Sequence, residues 1–406
     1  MHRLSRFGQL LKALPRDSFQ AMVDRHDGDR YKKKFLYWDH LLVMLYAQIA
    51  GVSSLRSVET GFNQHRNHHY HLHTQEVRRT TLADANERRD PRIFEDLARA
   101  LMAQAGKAIR KERREMLYLM DSTTIGLNGR GSQWTQASAT RTQGLKVHIQ
   151  LDAASLAPVH QTITAANVND CTEGSKIAPE PGATYVFDKG YCDYGWWHRI
   201  AQARARFVTR LKKNAAYRTE SINAVSHEAD HILSDAVIRL ANTSNRGGHK
   251  NVCTEALRRI EVLRPGEAPL VLVTNDLEAS AAEIAQLYKE RWAIELFFKW
   301  IKQHLEIKTF LGESENAVRI QLLTALIAYL LVVIHKTSGA LKQSLWELLA
   351  ELRTGLFLRT QEEQERWRRQ RHQQAIFKAL QPGLFGLVKT VSGQQCACAG
   401  TTGGVP

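Results

Sequence analysis

Apolar residues along the chain follow three successive patterns. Up to about residue 110 they recur at helical spacing. Phe7, Leu10, Leu11 and Leu14 precede Pro15, and Leu41, Leu42, Met44, Leu45 and Ile49 precede Gly51. Ile93, Phe94, Leu97 and Leu101 follow Asp90-Pro91, an Asp at the N-cap with Pro in the first turn. A helical bundle with basic loops is predicted there. Near residue 115 the period shortens. Leu117-Tyr118-Leu119-Met120 is a short apolar run, 145–151 alternates with period two, and 159–165 and 183–187 are further strand candidates. More follow at 207–211, 236–240, 257–263 and 270–274, with Asn245-Arg246-Gly247-Gly248 reading as a hairpin tip. From about Ala279 the helical period returns, first as one long helix running past Leu305, and it dominates to about residue 380. The stretch 361–374 reads as a solvated helix face, and the Gly- and Thr-rich stretch 393–406 as a disordered tail.

Composition narrows the class. The 406 residues are 43% hydrophobic and 24% charged, ordinary for a globular protein of two or three domains. Lys and Arg number 56 against 41 Asp and Glu, a net charge of +15 that suggests a polyanionic partner. The five cysteines form no CxxC pair, which speaks against structural zinc and against a disulfide framework. The N-terminus lacks the apolar core of a signal peptide, and the apolar stretch Ile320–Ile334 is shorter than the roughly 18 residues of a membrane span. A cytoplasmic protein with a buried core helix and no membrane partner is expected.

Candidate chemistry rests on carboxylates. Asp121 and Asp188 each directly follow a short apolar run. A carboxylate ending a buried strand is rigid and partly desolvated, a good seat for a hard divalent cation; a helix cap or turn Asp is the other reading. On the later helix, Tyr288, Arg291, Glu295 and Lys302 fall within roughly 60° of arc, beside an apolar face of Trp292, Leu296, Phe297 and Ile301. The polar stripe spans about 21 Å, suited to a backbone of several phosphates; a solvated face with an Arg291–Glu295 ion pair is the alternative.

The spacing Tyr-x2-Arg-x3-Glu-x6-Lys is similar to the YREK signature of DDE-type insertion-sequence transposases, in the family named after insertion sequence four. Asp121 resembles that family's first aspartate. Asp188, in Phe187-Asp188-Lys189-Gly190-Tyr191, resembles the second, and Glu295 resembles the third carboxylate. The resemblance spans about residues 115–335. A softer likeness, through Gly61–His65 and Thr81–Asn86, joins the first hundred residues to the helical domain often attached to these enzymes.

The resemblance implies an α/β fold: an RNase H-like catalytic core interrupted by a β-rich insertion, with a helical N-terminal domain and a helical C-terminal region. The 107 positions from Asp188 to Glu295 leave room for that insertion. The expected units are a DNA-binding helical domain at 1–110, core at 111–206, insertion at 207–275, core again at 276–337, and a helical, dimerising region at 338–392, with 393–406 as the tail. The implied activity is DNA cleavage and strand transfer. Asp121, Asp188 and Glu295 would hold Mg²⁺, with Mn²⁺ as a substitute and two ions in all. The implied partners are double-stranded DNA, both terminal inverted repeats and target, and a second copy in a homodimer. Tyr288, Arg291 and Lys302 would contact the DNA backbone.

Other DNA contacts are expected from the residues alone. Lys146 and His148 alternate on a strand and face either the DNA site or solvent. Arg210, with Lys212 and Lys213, ends a later strand along the DNA path. Tyr191, with Tyr194, Trp196 and Trp197, could stack on an extruded base, or the tryptophans could bury themselves in the next helix. Rival readings are an inactive DNA-binding relative and another RNase H-like nuclease. A third is a nuclease built on His71-Leu72-His73 with a tyrosine nucleophile such as Tyr70, although the polar run His65–His73 reads better as a DNA-gripping loop.

Overall fold

In the computed structural model, residues 5–110, 116–127, 134, 144–225, 231–241, 251–307, 309–358, 365, 368–369 and 371–376 are described. The expected hairpin tip at 245–248 and the tail at 393–406 lie outside them, as does half of the solvated helix expected at 361–374.

Six helices form the N-terminal part: α1 (Arg6–Leu10), α2 (Arg16–Arg25), α3 (Tyr37–Ala50), α4 (Leu55–Gln64), α5 (Arg79–Arg88) and α6 (Arg92–Arg110). Among the described residues nine strands follow, interleaved with short helices: β1 (Met116–Gly126), β2 (Gly144–Asp152), β3 (Pro158–Ala165), α7 (Asp170–Gly174), β4 (Ala183–Phe187), α8 (Tyr194–Gln202), β5 (Arg206–Arg210), β6 (Tyr217–Ile222), β7 (Ile232–Leu240), β8 (Leu257–Val262) and β9 (Leu270–Thr274). The chain ends in α9 (Ala281–Glu290), α10 (Trp292–His304), α11 (Glu315–Ser338) and α12 (Leu345–Gly355).

All nine strands join one sheet in the order β3-β2-β1-β4-β5-β9-β8-β7-β6. β1, β4 and β5 run parallel at its centre, and the remaining pairings are antiparallel. The β-rich stretch expected at 207–275 therefore extends the central sheet through β5 and β9. β6 was not foreseen. It is the edge strand, and every one of its residues is exposed, so no buried face marks it by alternation.

The sheet separates two cores. Leu119 and Ile125 of β1 pack into the larger one, which also takes Ile284 of α9, Ile294 and Phe297 of α10, more than half of α11, and side chains from α3 to α6. Tyr118 and Met120, alternating to the other face, join Tyr185, Phe187, Phe207 and the α8 residues Trp196, Trp197 and Ile200. α11 is capped by Ser314, whose hydroxyl accepts from the Ala317 N–H, and it is the one described helix long and apolar enough to cross a membrane. Of its most apolar window, 94% is buried inside the protein, as the interrupted apolar run Ile320–Ile334 led one to expect of a core helix.

Two local expectations are corrected. Asp121 does not end its strand: β1 continues to Gly126 because its antiparallel pairing with β2 runs on to Gly126↔Gly144. The long helix expected from 279 past 305 is two helices, divided at Arg291. There the backbone tightens to i→i+3 bonds, Arg291 N–H to Tyr288 O and Ile294 N–H to Arg291 O, both 3.2 Å.

Candidate active site

Strand pairing brings the two aspartates together. The parallel register of β1 and β4 ends at Met120↔Phe187, and the next residue on each strand is an aspartate. Asp121 and Asp188 thus stand side by side where the parallel pairing stops, facing α9 and α10. The break between those helices delivers three more side chains. The Tyr288 hydroxyl donates to Asp188 Oδ1 at 3.4 Å. Arg291 places Nη1 3.5 Å from Asp121 Oδ2 and Nη2 2.6 Å from Glu295 Oε1. Its guanidinium lies 5.5 Å from the Tyr288 ring centroid. From the end of β5, Arg210 Nη1 reaches within 3.8 Å of Asp188 Oδ1.

Burial and neighbouring charges shift the groups of this cluster. The Asp121 carboxyl is pushed up to about 6, chiefly by burial. The Ser122 N–H and Arg291 oppose that rise, while Glu295 and Asp188 add to it. Burial likewise pushes the Tyr288 hydroxyl up to about 12, so it remains a hydrogen-bond donor at neutral pH. On Arg291, burial works against the charge but is outweighed by Tyr288, Glu295 and Asp121, and its pKa is raised. The side chains of Asp121, Asp188 and Glu295 remain 24%, 32% and 34% exposed, enough for a ligand to reach them.

In kind, the donors fit a hard divalent ion, since all three are carboxylates. In arrangement, a guanidinium lies between Asp121 and Glu295. Among the described residues no three His, Cys, Asp or Glu side chains are grouped closely enough to hold a metal as they stand.

The other expected contacts divide sharply. Lys302 is partly exposed on the last turn of α10 and lines a small cleft with Thr123 and Ile125 of β1. Lys212 and Lys213 are exposed beyond β5. Tyr288, expected on DNA, is buried and turned to Asp188. Lys146 is half-buried and His148 buried, and both bond within the fold. Lys146 Nζ donates to the Val168 carbonyl at 2.9 Å and lies 3.3 Å from Asp170. His148 Nε2 meets Thr164 Oγ1 at 3.0 Å, and burial holds its pKa down at about 4. Tyr191 is buried against Phe187, and Trp196 and Trp197 are fully buried in α8, so none of these three is displayed for base stacking. His71, Leu72 and His73 lie in or at the end of a 3₁₀ turn, Arg66–Leu72, whereas the histidine-motif nuclease reading needs a central strand. Two residues at the site went unnoticed in the sequence. Ser122 was masked by its neighbour, and Asp170 lies 48 positions away, joined to Ser122 only by the fold.

The fold and this acidic cleft rimmed by arginines define a class: a mixed α/β protein with a carboxylate site suited to phosphate chemistry. The family described as "Transposase DDE domain" matches residues 112–331, more than half of the chain, and a domain of unknown function (DUF4372) matches residues 2–74. A Sinorhizobium fredii protein named as transposase y4zB is 46% identical over 254 residues, 62% of this chain and 69% of its own length. A Geobacillus stearothermophilus protein named as a transposase for insertion sequence element IS5377 is 28% identical over 246 residues, 59% of this chain and 63% of its own. Among solved structures, a piggyBac transposase synaptic complex with hairpin DNA aligns at TM-score 0.46 and 10% identity, over 86% of this chain and 79% of that one, too loosely to carry an argument. The chain belongs to the DDE transposase family. It is a transposase of the insertion-sequence type, a DNA-cleaving, strand-transferring enzyme whose chemistry depends on divalent metal ions.

Proposed function

We propose that Asp121, Asp188 and Glu295 are the three catalytic carboxylates, that they hold two Mg²⁺ ions, with Mn²⁺ able to substitute, and that β1 to β5 with α8 to α10 form an RNase H-like core. The observation that carries this is the register: Asp121 and Asp188 directly follow the last parallel pair, Met120↔Phe187, and Glu295 is tied to Asp121 through Arg291. Tyr288, Arg291, Glu295 and Lys302 are read as a YREK signature, with Tyr288 orienting Asp188 rather than touching DNA.

Bound ions would supply an activated water and a stabilised leaving oxygen for in-line displacement. The protein's own groups do the rest. Tyr288, neutral at working pH, holds Asp188 Oδ1 through its hydroxyl. Arg291 and Arg210 set positive charge beside both aspartates, where a scissile phosphate would approach, and Arg291 can grip it with two N–H groups. Hydrolysis at an element end breaks a P–O bond and frees a 3′-hydroxyl. That hydroxyl then forms a bond to a target phosphorus as the target's own P–O bond breaks, with no covalent protein intermediate. The substrates are terminal inverted repeats and target DNA on the bacterial nucleoid, and two copies of the chain hold the paired ends.

The test is cleavage of a duplex carrying the terminal repeats, with Mg²⁺ and the full chain. Asp188→Ala should lose about a thousandfold in rate or more, as expected when several kcal/mol of charge stabilisation go. Wild-type cleavage by Asp188→Ala would sink the assignment.

A further inference from the structure

Alternation along β1 sends Asp121 toward α10 and Ser122 to the opposite face of the sheet. Behind the catalytic face, Ser122 Oγ donates to Asp170 Oδ1 at 2.7 Å. The same oxygen lies 3.3 Å from Lys146 Nζ and 3.5 Å from His148 Nδ1, both on β2. The other oxygen, Asp170 Oδ2, lies against the turn after β4: a Cβ on Gly190 would stand 3.2 Å from it. One carboxylate thus touches three pieces of chain. These are β1 one residue past Asp121, β2 beside it, and the turn two residues past Asp188. Burial keeps His148 neutral, so Lys146 is the cation that balances Asp170.

The link to the catalytic face is direct. The Ser122 N–H donates to Asp121 Oδ1 at 2.8 Å, leaving Oδ2 as the oxygen that faces Arg291. Whatever fixes the Ser122 backbone therefore fixes the carboxylate plane of Asp121. Asp170 does so by holding the Ser122 hydroxyl, and it confines the Gly190 turn at the same time.

We propose that Asp170 is a positioning residue for the DNA chemistry: through Ser122 and the Gly190 turn it sets Asp121 and Asp188 in the orientation that receives divalent cations. This inference rests on the catalytic reading given above. Groups that hold ligand carboxylates from behind typically contribute 10- to 100-fold in affinity or rate, and a misplacement of about 1 Å at a reacting centre costs about as much. A purely structural Asp170 would do something different. It would tie β1 to β2 and α7, and its loss would lower the melting temperature while each folded molecule kept its rate.

The experiment uses the full chain and three readouts: the melting temperature, Mn²⁺ affinity by electron paramagnetic resonance, and kcat and KM for cleavage of a terminal-repeat duplex. Asp170→Ala should lower kcat by about 10- to 100-fold and weaken Mn²⁺ binding by about tenfold, with KM for DNA changed less than about twofold. Asp170→Asn, which keeps an acceptor for Ser122 Oγ, should recover most of both losses. Ser122→Ala should show the same pattern more weakly. Ser122→Ala combined with Asp170→Ala should be no worse than Asp170→Ala alone, because both act through one path. Full kcat and Mn²⁺ affinity per folded molecule in Asp170→Ala would overturn the proposal, as would losses that multiply in the double variant. If Asp170→Ala fails to fold, Ser122→Ala decides by the same criteria. Asp188→Ala separates the two layers of inference. If it is inactive while the Ser122 and Asp170 variants are unimpaired, only the positioning role falls. If it is active, the catalytic reading falls as well.

Discussion

The two faces of β1 differ in what their polar groups bond to. On the front, Asp121, Asp188 and Glu295 are each about a quarter to a third exposed and share one arginine, one tyrosine hydroxyl and a second, more distant arginine. On the back, Ser122, Lys146 and Asp170 close on one another, and His148 is buried against Thr164. Carboxylates left short of partners in a half-buried cleft carry unspent affinity for cations. A network closed on itself stores rigidity instead. Changes on the front should therefore cost activity with little stability, and changes on the back should cost some of each.

The largest separation is expected for Glu295→Gln. The side chain keeps its shape and can still accept from Arg291, but it loses the charge that would hold a cation. Cleavage should fall by about a thousandfold, with a melting temperature within a few degrees of wild type. A large drop in melting temperature would mean that the front face also holds the fold together. Arg291→Lys comes next. An ammonium is a single point charge and cannot span Asp121 Oδ2 and Glu295 Oε1 as the guanidinium does. The rate should fall about 10- to 100-fold, in kcat more than in KM, while the protein stays folded. Unchanged kinetics would show that the bridge between the two carboxylates is incidental.

How much of this could be read from the sequence follows the same division. The front face is written in local signals. Each aspartate closes an apolar run, and the helix signature keeps its spacing even though the helix breaks at Arg291. The break was hidden because a tightened i→i+3 turn leaves the apolar period almost undisturbed. Period-two alternation correctly placed Lys146 and His148 together on one face of β2, but it could not say what covers that face. α7 and the Gly190 turn cover it, and they come from chain 20 to 45 positions further on. β6 was missed for the opposite reason, since neither of its faces is buried. Local pattern reports that a side chain meets apolar surroundings. It does not report which distant polar group meets it.

The back face makes a smaller, pH-dependent prediction. Burial holds His148 at about 4 in the folded chain, against an ordinary value of 6.5. The unfolded chain therefore binds the extra proton first as pH falls, and stability drops with it. The contribution is fully present above pH 6.5 and is lost progressively between pH 6.5 and about 4. At most it amounts to about 3 kcal/mol. In urea unfolding, wild type should weaken over this window more steeply than His148→Gln, which has no proton to take up. Parallel curves would mean that the imidazole is reached by water and titrates normally.

The smallest effect returns to the front, at its rim. Arg210 is a third exposed, and its 3.8 Å approach to Asp188 is too long for a strong ion pair. A surface charge held that loosely adds little to folding, so Arg210→Ala should leave the melting temperature nearly unchanged. On the reading proposed above, its worth lies in the DNA path. If the side chain turns from Asp188 to a phosphate when DNA arrives, removing it should weaken binding of any duplex, whatever its sequence. The slope of log K against log salt should fall by about one unit, the signature of one lost phosphate contact. Lys302→Ala should do the same from the far end of α10. A slope unchanged in both variants would confine the DNA to the space between Arg291 and the three carboxylates, and the contrast between an open front and a closed back would then hold only at that centre.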